Sequence, residues 1–280
     1  PVAEYLDLAK ATSSNASPHV WDHIANVFST MNNYLKDDPT RQKMFQEFAF
    51  KRLSPLMQEL GWQAKENEAE HVANTRAAMI TVLGSMGESS VLAEARRRFA
   101  VMDSDPNAAP AALRLLILAI VAENADSTTW DKLYAKAKSE KSALVRQNLY
   151  ELLAASEDPT LAKRALDLAL SDEPGLTTSA AMIRQVATNH PDMAFDFAMA
   201  NMAKVNERVD ATSRSRFFPS LASTSSNPQM ISKLNTYANA HLDPSARGEL
   251  ETVIAAISYR IKLKRERVPE IRAWLDQAKN

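Results

Sequence analysis

The sequence predicts an all-α protein, and three observations carry that prediction. Only five glycines occur in 280 residues, far fewer than the turns of a β-rich chain would use. Alanine-rich segments with apolar residues three and four apart fill most of the length. Seven of the thirteen prolines follow Ser, Asp or Asn, in Ser17-Pro18, Asp38-Pro39, Ser54-Pro55, Asp105-Pro106, Asp158-Pro159, Asn227-Pro228 and Asp243-Pro244. Apart from Ser54-Pro55, which interrupts an apolar pattern, each pair reads as an N-cap side chain followed by proline at the first helical position.

Taken in order, Val20, Ile24, Val27, Phe28 and Met31 form the apolar stripe of a first amphipathic helix. The acidic run Glu66, Glu68 and Glu70 reads as the charged entrance to another, because carboxylates in a first turn oppose the helix dipole. Leu113 to Val121 is apolar nearly all round and predicts a central helix covered on both sides. Leu144, Val145, Asn148, Leu149, Leu152 and Leu153 form a further stripe, and Ser220–Ser226 is the weakest joint of the chain. Leu250, Val253, Ile254, Ile257 and Ile261 run into Lys262–Arg267, and Val268, Ile271, Trp274 and Leu275 resume the spacing after a bend at Pro269, giving a long terminal helix.

The spacing of these segments suits about a dozen helices of roughly 10 to 20 residues joined by short loops. The expected architecture is an irregular α-solenoid of armadillo or HEAT-like stacked helix pairs, as a single domain over residues 1–280, with a compact helical bundle as the alternative. No motif repeats at a fixed period.

Composition restricts the function. A net charge of −1 gives no long-range attraction for nucleic acid or an anionic membrane. The longest apolar run, Leu115–Ala122, covers about two helical turns where a membrane span needs roughly 20 residues. No cysteine is present, which excludes disulfides and thiolate chemistry and leaves a cytoplasmic or periplasmic location open. Pro1 is no translation start, so the sequence reads as a mature or excised segment.

Candidate chemistry is sparse. A helical zinc peptidase site needs His-Glu-x-x-His, and none of the five histidines is followed by Glu. His71 shares a helical face with Glu68 alone, while His19 and His23 stand four apart beside Trp21 and Ile24 and read as ordinary packing. His190 marks a helix boundary before Pro191, and His241 ends an apolar helix where a cation is favourable. Arg96-Arg97-Arg98 and Lys262, Lys264, Arg265 and Arg267 form basic clusters that fit solvated helix faces better than a phosphate grip. Neither a nucleophile elbow nor a phosphate-cradling glycine loop occurs.

The order of landmarks is more specific. "YLDLAK...HVWDHIANVFSTM", then "LSPLMQELGWQAKENEAEHVANTRAAMITVLGSMGE", then "AEARRRFAVM" resembles the opening half of the C-terminal helical domain of M1-family zinc aminopeptidases, the group that includes the endoplasmic-reticulum aminopeptidases. Leu60-Gly61-Trp62, followed by an acidic segment and Arg76, is the most specific piece. "ATNHPDMAFDFAMANMAKVNERV", "RSRFFPSLASTSSNPQMISKLNTYANAH" and "ELETVIAAISYRIKLKRERVPEIRAWL" are similar to the family's later helices. Phe195 and Met202 stand where the family often has Trp, and Thr177-Thr178-Ser179 where many members carry amide side chains.

The resemblance implies a non-catalytic domain that covers the catalytic domain of the same polypeptide and controls the access and binding of peptide substrates. It places zinc in that catalytic domain, with no cofactor in these residues: the family's His-Glu-x-x-His and Gly-x-Met-Glu-Asn signatures occur nowhere in the 280 residues. Arg114, Arg146 and Arg184 are the candidates for attracting a peptide's C-terminal carboxylate, and each also fits a structural ion pair. The competing readings are a free-standing helical scaffold for another protein and a helical-repeat nucleic-acid binder.

Overall fold

The computed structural model describes residues 1–105 and 107–277. Among them are fifteen α-helices and no strand: α1 Val2–Ala11, α2 Pro18–Tyr34, α3 Pro39–Leu60, α4 Glu70–Ser85, α5 Ser89–Val101, α6 Ala111–Glu123, α7 Ser127–Ser139, α8 Ala143–Leu153, α9 Pro159–Ala169, α10 Leu176–Asn189, α11 Pro191–Ala200, α12 Met202–Arg208, α13 Arg214–Leu221, α14 Pro228–His241 and α15 Gly248–Gln277. The all-α prediction holds. Proline opens α2, α3, α9 and α14 at the positions the Ser/Asp/Asn-Pro pairs predicted. Asp38, Asp158 and Asn227 accept from the first free amides of their helices, whereas Ser17 makes no such bond. Asp243-Pro244 opens only a three-residue 3-10 turn. The Asp105-Pro106 pair falls partly outside the described residues, and the Asp105 carboxylate accepts from the Asn107 amide ahead of α6. Pro55 lies inside α3 instead of breaking it.

The helices form two compact units, Pro1–Val121 with Leu263–Asn280, and Ala122–Lys262. In the first, α2, α3 and α4 pack on one another and α4 packs on α5. Its centre is aromatic: Phe28 meets Phe45 and Phe48 at 5.5 and 5.4 Å, and Phe48 meets Trp274 of α15 at 4.7 Å. Edge-to-face contacts of this kind add to the area the rings bury. Gly84 of α4 is required by packing, since a Cβ there would lie 2.7 Å from Ile120 Cδ1 of α6. The α15 segment is held by Trp274 Nε1 donating to Asp7 at 2.8 Å, with Lys264–Asp37 at 2.6 Å and Arg41–Asp276 at 2.9 Å.

In the second unit, α7 pairs with α8 and α9 with α10, while α8 also packs on α10, which is the arrangement of stacked helix pairs expected from the sequence. The hub is α10, which touches α8, α9, α11, α12 and α13 and buries Met182, Ile183 and Val186 completely. Trp130 of α7 is 1% exposed and donates its Nε1–H to Leu153 O of α8 at 3.0 Å, so the largest side chain of the pair also satisfies the end of its neighbour.

Three expectations need correction. Leu144 and Val145 begin α8 in solvent, 68% and 41% exposed, and the buried face of that helix is Leu149, Tyr150 and Leu153. Leu115 is 57% exposed although its neighbours Leu113, Ile117, Leu118, Ile120 and Val121 are buried. The Ser-rich crossing is firmly tied: Ser225 is buried and donates to Asp192 at 2.6 Å, Asn227 donates to the same carboxylate at 2.7 Å, and Arg260 donates to Ser225 O at 2.7 Å.

Candidate functional site

The acidic stretch after Trp62 serves structure. Helix α4 starts at Glu70, so Glu68 lies ahead of the helix, not on a helical face with His71. Its side chain is 7% exposed and receives both guanidinium nitrogens of Arg76, one at 2.7 Å. That hydrogen bonding holds the Glu68 carboxyl below its ordinary range. Arg76 also donates to Leu60 O and Gly61 O at 3.2 and 3.0 Å, closing the end of α3, where Gly61 takes a positive φ of 64° that favours glycine. The landmark turn is therefore tied to the arginine and to Glu68, whose side chains are buried, while Glu66 and Glu70 stay exposed. Trp62 completes it beneath Arg98, 5.1 Å from the ring centroid.

The basic clusters are also engaged internally. Arg97 and Arg98 both bond Glu94 at 2.7 Å, Arg98 reaches Ala108 O at 2.8 Å, and Arg267 pairs with Glu270 at 3.0 Å.

A zinc ion does not fit these residues. His19 of α2 and His71 of α4 approach to 6.3 Å between ring centroids, a pairing the sequence did not indicate, while His23 faces Tyr5. Among the described residues no group of three or more His, Asp or Glu side chains can hold a metal.

Of the three arginine candidates, Arg114 lies on α6 with its guanidinium 3.7 Å from the Asp103 carboxylate. Arg146 on α8 and Arg184 on α10 stand on packed neighbouring helices of the second unit. Both are exposed, and among the described residues no carboxylate forms an ion pair with either. Arg184 lies 5.6 Å from the centroid of Phe217. The structure thus brings two of the candidates to one pair of helices.

Around Arg146 the surface combines charge with apolar area that the sequence reading missed. Leu144 and Val145 precede it, and Leu176, 60% exposed, begins α10. Glu173, just before α10, accepts from the hydroxyls of Tyr134 and Tyr150 at 2.9 and 2.7 Å. Burial first, and then the Glu173 carboxylate, pushes the Tyr150 hydroxyl far above its ordinary range, so both tyrosines stay protonated donors. Of the Thr177-Thr178-Ser179 triplet only Thr177 faces solvent, because Ser179 turns back to Gly175 O at 2.9 Å.

A helical array carrying the Gly61–Glu68–Arg76 assembly and the α7–α15 succession defines a class. The chain matches the family model of the ERAP1-like C-terminal domain over residues 1–258, and it belongs to that family. Its relatives are M1 aminopeptidases. Aminopeptidase M1-D of Oryza sativa subsp. japonica is 22% identical over 216 residues, covering 75% of this chain and 25% of the rice protein. Aminopeptidase M1-A of the same plant is 21% identical over 234 residues, with 81% and 26% covered. Glutamyl aminopeptidase of Bos taurus is 23% identical over 167 residues, with 59% and 17% covered. The chain spans about a quarter of the length of the two rice relatives. No helix among the described residues is long and apolar enough to cross a membrane.

Proposed function

We propose that residues 1–280 act as one non-catalytic domain of an M1 zinc aminopeptidase, covering the catalytic domain of the same polypeptide and controlling which peptides reach it. The observation that carries this reading is the family match over residues 1–258 in a chain without His-Glu-x-x-His. The zinc and the hydrolytic chemistry belong to the catalytic domain, and these residues supply shape and charge. A helical surface that holds the distal part of a peptide raises the effective concentration of its amino end at a site elsewhere.

Arg146 and Arg184 are the side chains best suited to draw in a peptide's C-terminal carboxylate, because each presents an exposed guanidinium with no acid in ion-pair range among the described residues. Leu144, Val145 and Leu176 add apolar area for peptide side chains beside them. Arg114, facing Asp103, is the weaker candidate. Translating the reading frame directly upstream of the Pro1 codon tests the reading at its root. His-Glu-x-x-His followed by a downstream Glu, and Gly-x-Met-Glu-Asn, are expected there. A start codon immediately before Pro1 would reject it in favour of a free-standing scaffold.

A further inference from the structure

A pocket of about 300 Å3 opens among α12, α13 and the end of α14. Its floor is aromatic. Phe218 and Tyr237, 1% and 4% exposed, lie 5.4 Å apart, and His241 stacks on Tyr237 at 5.2 Å. Tyr237 is buried as a residue, and burial raises the pKa of its hydroxyl.

The rest of the lining carries both signs of charge. Arg214 spends two donors on backbone, Nε to Val209 O at 3.2 Å and Nη2 to Asn206 O at 2.7 Å, and among the described residues it forms no ion pair. Asp210, held low chiefly by Thr212, feels its charge only weakly. Asp243 lines the same pocket and its side chain bonds nothing among the described residues. A phosphate or simple carboxylate would meet Asp243, and a simple cation would meet Arg214. A ligand that carries both charges on one carbon, together with an apolar body, matches the charged and the aromatic parts of the lining.

We propose that this pocket binds a free α-amino acid with a large apolar or aromatic side chain. The carboxylate lies on Arg214, the ammonium on Asp243, and the side chain against Phe218 and Tyr237.

The test is a ligand-observed NMR titration of the 280-residue chain with L-phenylalanine, 3-phenylpropanoate and 2-phenylethylamine. Saturable binding of the amino acid is expected, with each single-charge analogue weaker by about tenfold or more. Asp243→Asn should weaken L-phenylalanine by a similar factor while leaving helical circular dichroism unchanged, since that side chain bonds nothing in the fold. Arg214→Gln should do the same, and the Asp243 variant keeps the test decisive if the loss of the Arg214 backbone bonds perturbs α12. Absence of saturation at millimolar amino acid, equal binding of all three probes, or an unchanged affinity in Asp243→Asn would each overturn the assignment.

Discussion

In the first unit the end carbonyls of α3 are closed by Arg76, and in the second those of α9 are closed by Arg208, yet only Arg76 has a buried carboxylate opposite it. Arg208 is 9% exposed and donates to Ala169 O and Leu170 O at 3.2 and 2.6 Å and to Lys204 O at 3.0 Å. Its nearest acids, Glu207 and Asp172 at 3.7 and 3.9 Å, lie in solvent. The negative end of a helix dipole and four carbonyls, Ser171 O included, therefore hold this guanidinium with only solvent-exposed acids beside it. Arg76 adds a two-pronged ion pair to Glu68, which fixes the loop between α3 and α4 as well as the helix end. Arg76 and Arg208 thus both cap a neighbouring helix, and a buried acid decides which of the two also clamps a loop.

Breaking this comparison should give graded losses. Arg76→Met strands the Glu68 carboxylate together with the α3 carbonyls, and it should destabilise the chain most in urea denaturation. Arg208→Met strands carbonyls alone and should cost about 1–3 kcal/mol, reported by Trp130, the single tryptophan of the second unit. An equal or larger loss for Arg208→Met would remove the role given to Glu68.

Gly84→Ala comes next. Overpacking against Ile120 should cost about 1–3 kcal/mol, offset by roughly 1 kcal/mol of helix propensity, and adding Ile120→Val should recover part of the loss. A stabilised Gly84→Ala chain would contradict the close approach of α4 and α6.

The pH dependence sharpens the same contrast. Arg76 depresses the folded-state pKa of Glu68, so the unfolded state binds its proton first. The resulting stability is present above the ordinary carboxylate range, near 4.5, and is lost as pH falls through and below it. Glu94 and Glu270 act in the same direction, so Glu68→Gln should flatten the acid limb of the stability curve without abolishing it. An unaltered acid limb in that variant would discount the pair.

The smallest effect is expected at Leu144. Leu144→Ser, on an exposed first turn, should change stability by no more than about 0.5 kcal/mol, whereas Leu149→Ala on the buried face of the same helix should cost about 2–5 kcal/mol.

That last pair marks how far the sequence was legible. Helical spacing identified α8, but of its six-residue stripe only Leu149 and Leu153 are buried, because periodicity ranks residues by direction around the helix and cannot tell which turn a neighbour covers. Leu144 lies in the predicted stripe yet is 68% exposed. Tyr150 was missed because its hydroxyl removes it from an apolar pattern, although Glu173 satisfies that hydroxyl inside the fold. The Asp158-Pro159 and Asn227-Pro228 caps were read correctly because their chemistry is local. The Glu68–Arg76 pair was not, since an i, i+8 contact across a helix boundary leaves no periodic trace. Arg146 and Arg184 were legible as residues but not as neighbours, a relation that only the packing of α8 on α10 supplies.

The central proposal is control of peptide access, and kinetics of a full-length aminopeptidase carrying this domain test it most directly. Arg146→Ala/Arg184→Ala should raise KM for a peptide substrate by about tenfold, the loss of a charge-assisted contact made in ground and transition states alike, while KM and kcat for a single-residue amide stay as they were. Equal effects on both substrates would contradict the account.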